Sequence, residues 1–269
     1  MNYPFADLPL ARRLENAEAA ANAAFVEARA ALHPESRARW IEVAGARCMF
    51  DGPDSPISQV FGLGLFDEVT TAHLDQIEAF FRSENCPCDL EISPLVGPEF
   101  SAMLAERGYV PVEHSSMTYQ PIRWATMRTS DVAVRIADPS EAHEWAETSA
   151  KGWSDHVEAV TFLRQLGHIV ATREGSVPFF AELDGRPIAT GALLIADRVA
   201  LFSGASTIPA FRGRGAQRAL LNVRLTHAAK AGCDLAVMVT LPGSTSQRNA
   251  ERAGFRIAYT RTKWRKDPA

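Results

Sequence analysis

The stretch Pro209-Ala210-Phe211-Arg212-Gly213-Arg214-Gly215-Ala216-Gln217-Arg218 carries the strongest signal in this sequence. It follows an alternating apolar segment and opens a segment with helical spacing. Gly213 and Gly215 lack a Cβ, so the backbone there can turn tightly and approach a ligand closely. The first N–H groups of a helix have no internal acceptor and lie at the positive end of the helix dipole. The stretch therefore predicts a loop that binds a diphosphate group.

Three arginines in this loop, Arg212, Arg214 and Arg218, add charge-assisted hydrogen bonds to the expected anion. An Arg-Gly-Arg-Gly tetrapeptide also occurs in solvated turns, so a basic surface loop is the alternative interpretation. The surrounding order of strand, loop, long helix, strand, short helix and Gly254-Phe255 favours the diphosphate-binding loop.

The composition is that of a soluble globular protein long enough for two ordinary domains. Of the 269 residues, 46% are hydrophobic and 22% are charged, and the formal net charge of −4 gives no reason to expect nucleic acid. No apolar run has the length of a membrane span, and residues 1–7 lack the pattern of a signal peptide. We therefore expect a cytoplasmic protein without nucleic-acid or membrane partners.

The cysteine spacing does not predict a metal site. The four cysteines are Cys48, Cys86, Cys88 and Cys233. Cys86-Pro87-Cys88 could form half of such a site, but no His or Cys pair lies at a zinc-like spacing to complete it. The sequence predicts buried, reduced thiols and no metal.

The chain contains a long internal repeat. Cys88-Asp89-Leu90 recurs as Cys233-Asp234-Leu235, and residues 104–109 recur as residues 250–255 at nearly the same offset. Each copy continues into an alternating segment that ends on an aromatic residue, Tyr119 or Trp264. Three matched landmarks in the same order indicate a duplication.

The duplication predicts an α/β (α+β) fold with two related halves, each a mixed, mostly antiparallel central sheet flanked by helices. The first half spans residues 1–122, a linker spans 123–131, and the second half spans 132–269. Asp184-Gly185 is expected to form a hairpin turn, and residues 11–32 a long helix whose apolar face packs or binds a partner. Strands are expected at 39–50, 58–65, 179–183, 187–196, 199–207 and 234–241.

On these residues and this order of elements, the second half resembles the GNAT superfamily of acetyl-CoA-dependent N-acetyltransferases, over about residues 132–266. The family motif, Arg/Gln-x-x-Gly-x-Gly/Ala, opens the helix after the fourth strand. Arg212 and Gly215 match its first two fixed positions, and Gln217 departs from the third while keeping an amide that could donate to phosphate. The repeat places residues 66–70 at the matching position of the first half. Asp67 and Glu68 would repel a diphosphate there, so the resemblance implies two GNAT-like halves and a single acetyl-CoA per chain.

The resemblance implies transfer of an acetyl or acyl group from acetyl-CoA directly to a primary amine in a ternary complex. The strand at 199–207 would pair with the pantetheine arm, and backbone N–H groups would stabilise the oxyanion where this strand parts from 234–241. The residues expected to bind the cofactor are Thr207, Ile208, Arg212, Gly213, Arg214, Gly215, Ala216, Gln217, Arg218 and Asn249.

The general acid is left open by the sequence. The family often has a tyrosine that protonates the leaving thiolate, and the matching position here is Ala250. Adjacent Asn249 is a polar residue that can face the cofactor. Ser244 and Ser246 could contact CoA or water, or could cap the helix that begins there.

The general base is equally open. His156 lies with Trp153, Asp155 and Glu158 in a segment that lines the acceptor pocket in relatives, so it is a candidate, although such a histidine is often a surface or cap residue. Glu91 in the first half is a second candidate, or a solvated strand residue.

Two other functions remain alternatives. A CoA-binding regulatory protein or pseudoenzyme without amine turnover would explain why Ala250 replaces the usual tyrosine and why the first half lacks the diphosphate loop. A non-catalytic interaction protein would use residues 212–218 as a basic docking loop. An enzyme is favoured because the loop is intact in one half and degenerate in the other. The sequence does not specify whether the acceptor is a small-molecule or a peptide amine, nor whether the protein is a monomer or a homodimer.

Overall fold

The structure is a computed structural model that describes residues 3–122, 131–153 and 160–268. Most of the expected linker and the candidate His156 lie outside these residues. In chain order the first elements are α1 (Leu8–Leu32), β1 (Arg39–Val43), β2 (Ala46–Phe50), β3 (Val60–Phe61), α2 (Thr71–Arg82), β4 (Cys88–Ile92), α3 (Pro98–Glu106) and β5 (Val110–Pro121). The later elements are β6 (Ala133–Ile136), α4 (Ala142–Gly152), α5 (Val160–Thr172), β7 (Ser176–Leu183), β8 (Arg186–Ala196), β9 (Val199–Thr207), α6 (Ala216–Lys230), β10 (Leu235–Thr240), α7 (Thr245–Arg252) and β11 (Arg256–Lys266).

The chain forms two compact units whose boundaries differ from the expected ones. The N-terminal unit comprises residues 2–119, 239–247 and 256–269, and the C-terminal unit comprises residues 120–238 and 248–255. The difference arises from β11, the last strand, which the sequence analysis assigned to the second half. In the structure β11 pairs antiparallel with both β4 and β5, so it lies inside the sheet of the N-terminal unit.

Each unit has a mostly antiparallel sheet. The strand order is β1-β2-β3-β4-β11-β5 in the N-terminal unit and β10-β9-β8-β7-β6 in the C-terminal unit. Each sheet contains one parallel pair, which is β3 with β4 in the first and β9 with β10 in the second. The strands β4 and β10 carry the two copies of the Cys-Asp-Leu repeat, and Leu90 and Leu235 each take part in the parallel pairing. The repeated tripeptide thus has the same topological place in both sheets.

Alternating apolar residues place one face of each sheet in a core. In the C-terminal unit, apolar residues of β7 to β10 pack against the apolar side of α6, including the fully buried Leu220 and Ala228. In the N-terminal unit, α2 contributes Leu74, Ile77 and Phe81 to a core with β2 and β4. Complete burial of each such large side chain stabilises the fold by about 1.5–3 kcal/mol.

Several expected elements are confirmed, and two differ from expectation. The expected strand at 39–50 is a hairpin of β1 and β2, because Ala44 and Gly45 take positive φ values of 50° and 71° and reverse the chain. Residues 199–207 form β9, and Asp184 and Gly185 form the β7–β8 turn with φ values of 51° and 73°. The expected strand at 58–65 is reduced to Val60–Phe61, because Gly62 and Gly64 take positive φ and end the extended backbone. The long helix α1 packs its apolar face in its own unit. Among the described residues, no helix has the length and apolar character needed to cross a membrane.

Candidate functional site

The predicted diphosphate loop forms the N-terminus of α6. Gly215 is the N-cap residue, with φ 84° and ψ 5°, and the helix has no side-chain cap. Gly213 also has a positive φ of 79°. A Cβ on Gly213 would meet no atom within 4 Å, and one on Gly215 would meet only Nη2 of Arg218 at 3.8 Å. Backbone conformation and not crowding therefore requires glycine at both positions, and the first-turn N–H groups of α6 are open to an anion.

The exposed arginines Arg214 and Arg218 provide positive charge at this end of α6. The guanidinium of Arg218 folds back towards the N-cap, as its distance from the Cβ position of Gly215 shows. The helix dipole and these two cations act in the same direction, so the site favours a multiply charged anion such as a diphosphate.

Arg212 connects the loop to two other elements. Its Nη2 donates to the carbonyl of Gly152 at 3.0 Å, and its Nε donates to the carbonyl of Thr207 at 3.4 Å. A Cβ on Gly152 would approach Ser206 Oγ to 2.4 Å, so the end of α4 can pack on β9 only with glycine at this position. Arg212 thus holds the ends of α4 and β9 beside the loop.

Gln217 has a different partner from the one expected. Its Nε2 donates to the carbonyl of Ser206 and to Oγ1 of Thr207, both at 2.9 Å. Both amide hydrogens are therefore used within the chain, whereas the sequence analysis assigned this amide to phosphate. The larger side chain at the third motif position ties the first turn of α6 to the end of β9.

Strand β9 contains a β-bulge close to the loop. Thr190 pairs with Ser206 and Ala192 with Ser203, so Gly191 of β8 lies opposite both Gly204 and Ala205. Gly204 has φ 60°, and a Cβ there would come within 2.9 Å of the Trp145 ring. A bulge interrupts the ladder, so it leaves backbone groups of β9 without their regular β8 partners.

A buried arginine of α6 lies against this bulge. Arg224 is fully buried, and its Nη1 donates to the carbonyls of Ala192 and Ser203 at 3.1 and 3.4 Å. A Cβ on Gly191 would meet its Cζ at 3.0 Å. Among the described residues no carboxylate forms an ion pair with Arg224, and burial lowers its pKa to about 9. The guanidinium instead donates to one carbonyl of each strand at the Ala192–Ser203 pair, directly beside the bulge.

The parallel ladder between β9 and β10 ends before the bulge. Leu235, Ala236 and Val237 pair with Val199, Ala200 and Leu201, and no further pair follows within these strands. The second part of β9, which leads to the diphosphate loop, therefore has an edge without a β10 partner. Such an edge can pair with an extended ligand.

The α7 candidates differ in their surroundings. Ser244 caps α7, because its Oγ accepts from the N–H of Gln247 at 3.1 Å while Gln247 Oε1 accepts from the N–H of Gly243. Ser246 is exposed, so the capping alternative applies to Ser244 and not to Ser246. Asn249 is half-buried, and Ala250 is fully buried in the core of the C-terminal unit. The position that often carries tyrosine in the family is thus filled by a core methyl group.

The two candidates for the general base are the segment around His156 and Glu91. Asp155, His156 and Glu158 lie outside the described residues, and Trp153 is 45% exposed at the end of α4. The interpretation of Glu91 as a solvated strand residue is wrong. Its side chain is 3% exposed and lies 3.0 Å from Nε of Arg261. Glu91 can be buried because β11 pairs with β4 and places the cation of Arg261 beside it.

The loop of the N-terminal unit that matches the diphosphate loop is closed by its own side chains. Thr70 caps α2, accepting from the N–H of His73 at 3.3 Å, while Nδ1 of His73 accepts from the N–H of Thr70 at 3.2 Å. The side chain of Phe66 covers two glycines, since a Cβ on Gly45 would come within 2.6 Å of Phe66 Cβ and one on Gly62 within 2.8 Å of the Phe66 ring. Asp67 and Glu68 are exposed beside it.

The four cysteines are free and buried, as expected. Burial raises the pKa of Cys86 to about 11 and that of Cys88 to about 12, so both thiols are protonated at neutral pH. In the part of the chain that the structure describes, no group of three or more His, Cys, Asp or Glu side chains is arranged to hold a metal ion.

Sequence reasoning did not identify the bulge or Arg224, although signals for both were present. Gly191 and Gly204 are glycines inside strands, which often indicates a bulge or close backbone approach. Arg224 occupies an apolar position of α6, next to the buried Leu220, Leu221 and Leu225. A charged residue on the core side of a helix is an indication of buried polar partners.

Helix α6 has an open N-terminus and follows the bulged strand β9, whose parallel neighbour β10 ends its pairing early. This arrangement is suited to an extended ligand that carries a diphosphate. Residues 118–244 match the family described as acetyltransferase (GNAT) domain. The match covers just under half of the chain, and it supports the assignment of residues 118–244 to the GNAT superfamily and an acyltransferase activity. The family and the fold support an acetyl-CoA-dependent activity.

Solved structures show the same fold along most of the chain. A GCN5-related N-acetyltransferase from Kribbella flavida is similar with a TM-score of 0.64 and 21% identity, covering 91% of this chain and 96% of its own. A tandem GNAT protein from the clavulanic acid biosynthesis pathway has a TM-score of 0.58 and 13% identity, with 84% and 79% covered. A GNAT-family acetyltransferase from Colwellia psychrerythraea has a TM-score of 0.53 and 14% identity, with 86% of each chain covered. The curated proteins include no significant match.

Proposed function

We propose that this protein is a tandem GNAT N-acyltransferase that transfers an acetyl or acyl group from acetyl-CoA to a primary amine, in the cytoplasm. The observation that carries the proposal is the α6 N-terminus, where Gly215 leaves the first-turn N–H groups without a side-chain cap. The equivalent helix α2 in the N-terminal unit is capped by Thr70 and His73. One site of the two is thus suited to a diphosphate.

The tandem organisation is supported by topology. The first Cys-Asp-Leu copy begins β4, and the second leads into β10. Each of these strands belongs to the parallel pair of its own sheet, β4 with β3 and β10 with β9. A relative with similar fold over 84% of this chain is itself a tandem GNAT protein. We infer that residues 1–122 derive from a GNAT-like domain that no longer binds CoA, and that residues 132–269 derive from one that does.

In this proposal the residues of the diphosphate loop hold the cofactor. The N–H groups of residues 213–218 and the side chains of Arg214 and Arg218 bind the diphosphate, and Thr207 and Ile208 border it at the end of β9. Arg212 and Gln217 act indirectly, because they fix the ends of α4 and β9 relative to the loop. Acetyl-CoA supplies the activated thioester that the amine attacks.

The bulge of β9 would orient and stabilise the reacting carbonyl group. Backbone N–H groups released from the ladder at Gly204 and Ala205 are fixed by the surrounding contacts, so they need little reorganisation to bind a developing oxyanion. Arg224 of α6 holds the same backbone through its bonds to the carbonyls of Ala192 and Ser203. Its buried positive charge would also stabilise the negative charge of the oxyanion.

The proton transfers restrict the roles of the remaining candidates. Asn249 can donate a hydrogen bond to the leaving sulfur but has no proton to release at neutral pH. Ser246 is exposed and can order water at the start of α7. The amine must lose its proton before attack, and His156 is the residue whose ordinary pKa suits that step.

The test measures binding and turnover separately. Calorimetric titration with acetyl-CoA is expected to give one site per chain, and thiol release is expected when a panel of primary amines is added. Binding without thiol release for any amine would favour the CoA-binding regulatory protein or pseudoenzyme. Absence of acetyl-CoA binding would reject the proposal, and two sites per chain would reject the assignment of the first half.

A further inference from the structure

The N-terminal unit contains a polar pocket that the proposed cofactor site does not use. Its volume is about 220 Å³, which is room for a few small polar groups and less than a typical drug-sized site. The pocket is lined by Glu18, Pro56, Gln59, Glu91, Glu113, Ser115, Val239, Thr240, Leu241, Arg261 and Lys263. All of these residues belong to the N-terminal unit.

The charged groups in and behind the pocket wall form one connected cluster. Arg261 is 1% exposed, and its nitrogens lie 2.9 Å from Glu15, 2.5 Å from Glu18 and 3.0 Å from Glu91. Lys263 lies 3.2 Å from Glu113 and 3.8 Å from Glu91. Four carboxylates thus share two cations, so the cluster has a formal surplus of negative charge.

The donors of the cluster are already used. Nε of Arg261 donates to Ser115, Nη1 donates to Glu15 and Glu18, and Nη2 donates to Glu18. Because arginine has no acceptor atom and its three nitrogens are all engaged, this side chain has little left to offer an anion. Burial, with a smaller contribution from Glu18, raises the pKa of Glu15 to about 7 against the opposing effect of Arg261. This shift is consistent with incompletely compensated negative charge.

Two buried side chains in the pocket wall have polar atoms without a partner. Gln59 is 8% exposed and Thr240 is 4% exposed, and both line the pocket. Neither Oε1 of Gln59 nor Oγ1 of Thr240 has a hydrogen-bond partner in the described part of the chain. Buried polar atoms normally have partners, so these two oxygens indicate a ligand that donates hydrogen bonds.

We propose that this pocket binds a protonated primary amine, with Gln59 Oε1 and Thr240 Oγ1 accepting its hydrogens and Glu113 supplying charge at the exposed side. An alkylammonium group has three donors and one positive charge, which complements a wall of surplus acceptors and carboxylates. A phosphate, carboxylate or sulfate would meet repulsion from the same wall. The pocket size fits the end of an aminoalkyl chain and not a bulky ring system.

The assignment of this amine to the acyl acceptor rests on the proposed function. Thr240 is the last residue of β10, three positions after Val237, the last residue of that strand to pair with β9. With that function, the proposed acceptor class is a molecule with at least one amino group that is held here as a cation.

The experiment uses the full chain and two matched probes, 1,4-diaminobutane and 1,4-butanediol. They have the same length, but only the diamine is cationic at neutral pH. Calorimetric titration is expected to show binding of the diamine and not of the diol. Equal affinity for both probes, or no diamine binding, would overturn the proposal.

The variant Gln59→Leu/Thr240→Val separates ligand binding from stability. Replacing unpartnered buried polar atoms by apolar ones costs little and can stabilise, so the melting temperature is expected to stay or rise. Diamine affinity is expected to fall by about tenfold or more, because the donors of the amine lose their acceptors. Unchanged diamine affinity in a folded variant would overturn the proposal.

A second variant applies if the double variant does not fold. Glu113 is 45% exposed at its side chain, so Glu113→Gln removes charge at the exposed edge of the cluster and leaves Arg261 with its buried carboxylates. Its diamine affinity is expected to fall, whereas the exposed α3 variant Glu106→Gln keeps it. Equal affinities in these two variants would count against the pocket.

Acetyl-CoA titration of the same samples distinguishes the two proposals. Acetyl-CoA binding without diamine binding would reject the pocket and leave the proposed function. Diamine binding without acetyl-CoA binding would reject the proposed function and leave the pocket.

Discussion

Helices α2 and α6 begin at matching positions of the repeat but treat their first N–H groups in opposite ways. Thr70 and His73 close the N-terminus of α2 with a reciprocal capping box, and Asp67 and Glu68 precede it. Gly215 leaves the N-terminus of α6 without a side-chain cap, and arginines surround it. The same backbone element is therefore self-sufficient in one unit and needs an external anion in the other.

The difference shows how a binding site can be lost without loss of the fold. A capping side chain stabilises a helix by about 1 kcal/mol, and an open N-terminus forgoes that stabilisation. The open form is retained where a ligand provides the missing acceptors. In α2 the side chains of Thr70 and His73 supply partners at the N-terminus, so this helix is complete without an anion.

The largest expected effect comes from placing a carboxylate at the open N-terminus. Gly215→Glu introduces a negative charge and strains a residue with φ 84°, so acetyl-CoA affinity is expected to fall by at least about 100-fold, or about 3 kcal/mol. Calorimetry measures the loss.

Gly232→Glu is the matched control for this variant. Gly232 lies just after α6, has φ 80° and has no atom within 4 Å of its Cβ position, so strain and charge change are similar. Acetyl-CoA affinity is expected to be unchanged. Equal losses in both variants would show that the effect comes from α6 as a whole and not from its N-terminus.

An intermediate effect is expected from the exposed arginine over the N-cap. Arg218→Gln removes one cation beside the diphosphate, so acetyl-CoA affinity is expected to fall by about tenfold at low salt and by less at high salt, where surface charges are screened. Arg82→Gln, at the exposed end of α2, is expected to have no such effect. A loss that does not depend on salt would contradict a direct electrostatic role for Arg218.

The smallest effect is expected from opening the closed helix. Thr70→Ala removes the α2 cap, so the free energy of unfolding in urea is expected to fall by about 1 kcal/mol while acetyl-CoA affinity stays the same. Thr70→Ser keeps the hydroxyl group and should recover most of the stability. A loss of acetyl-CoA affinity in Thr70→Ala would mean that α2 takes part in cofactor binding.

Much of the local structure follows from the sequence, because it depends on short-range patterns. Alternation predicted β9 to its end residues, and glycine placement predicted the α6 loop and the β7–β8 turn. The sheet to which β11 belongs could not be predicted in this way. The segments ending at Tyr119 and Trp264 have equivalent patterns, and pairing between distant strands depends on the whole fold and not on either segment alone.

The position of the loop before α6 was predicted from sequence, but the partners of its side chains were not. Gln217 could reach either a phosphate or the end of β9, and only the three-dimensional arrangement shows its bonds to Ser206 and Thr207. The apolar position of Arg224 in α6 indicates burial, but the sequence does not show that Gly191 provides the space for its guanidinium. The pocket of the N-terminal unit was missed because its residues come from distant parts of the chain.

The position of β11 has a consequence for synthesis of the protein on the ribosome. Residues 256–266 lie between β4 and β5, so the N-terminal unit is completed by a strand that is translated after all the strands of the C-terminal unit. Until then β4 and β5 each have an edge whose final neighbour does not yet exist, and unpaired edges are prone to association with other chains. A polypeptide that stops before residue 256 would therefore be an aggregation-prone fragment and not a smaller working enzyme.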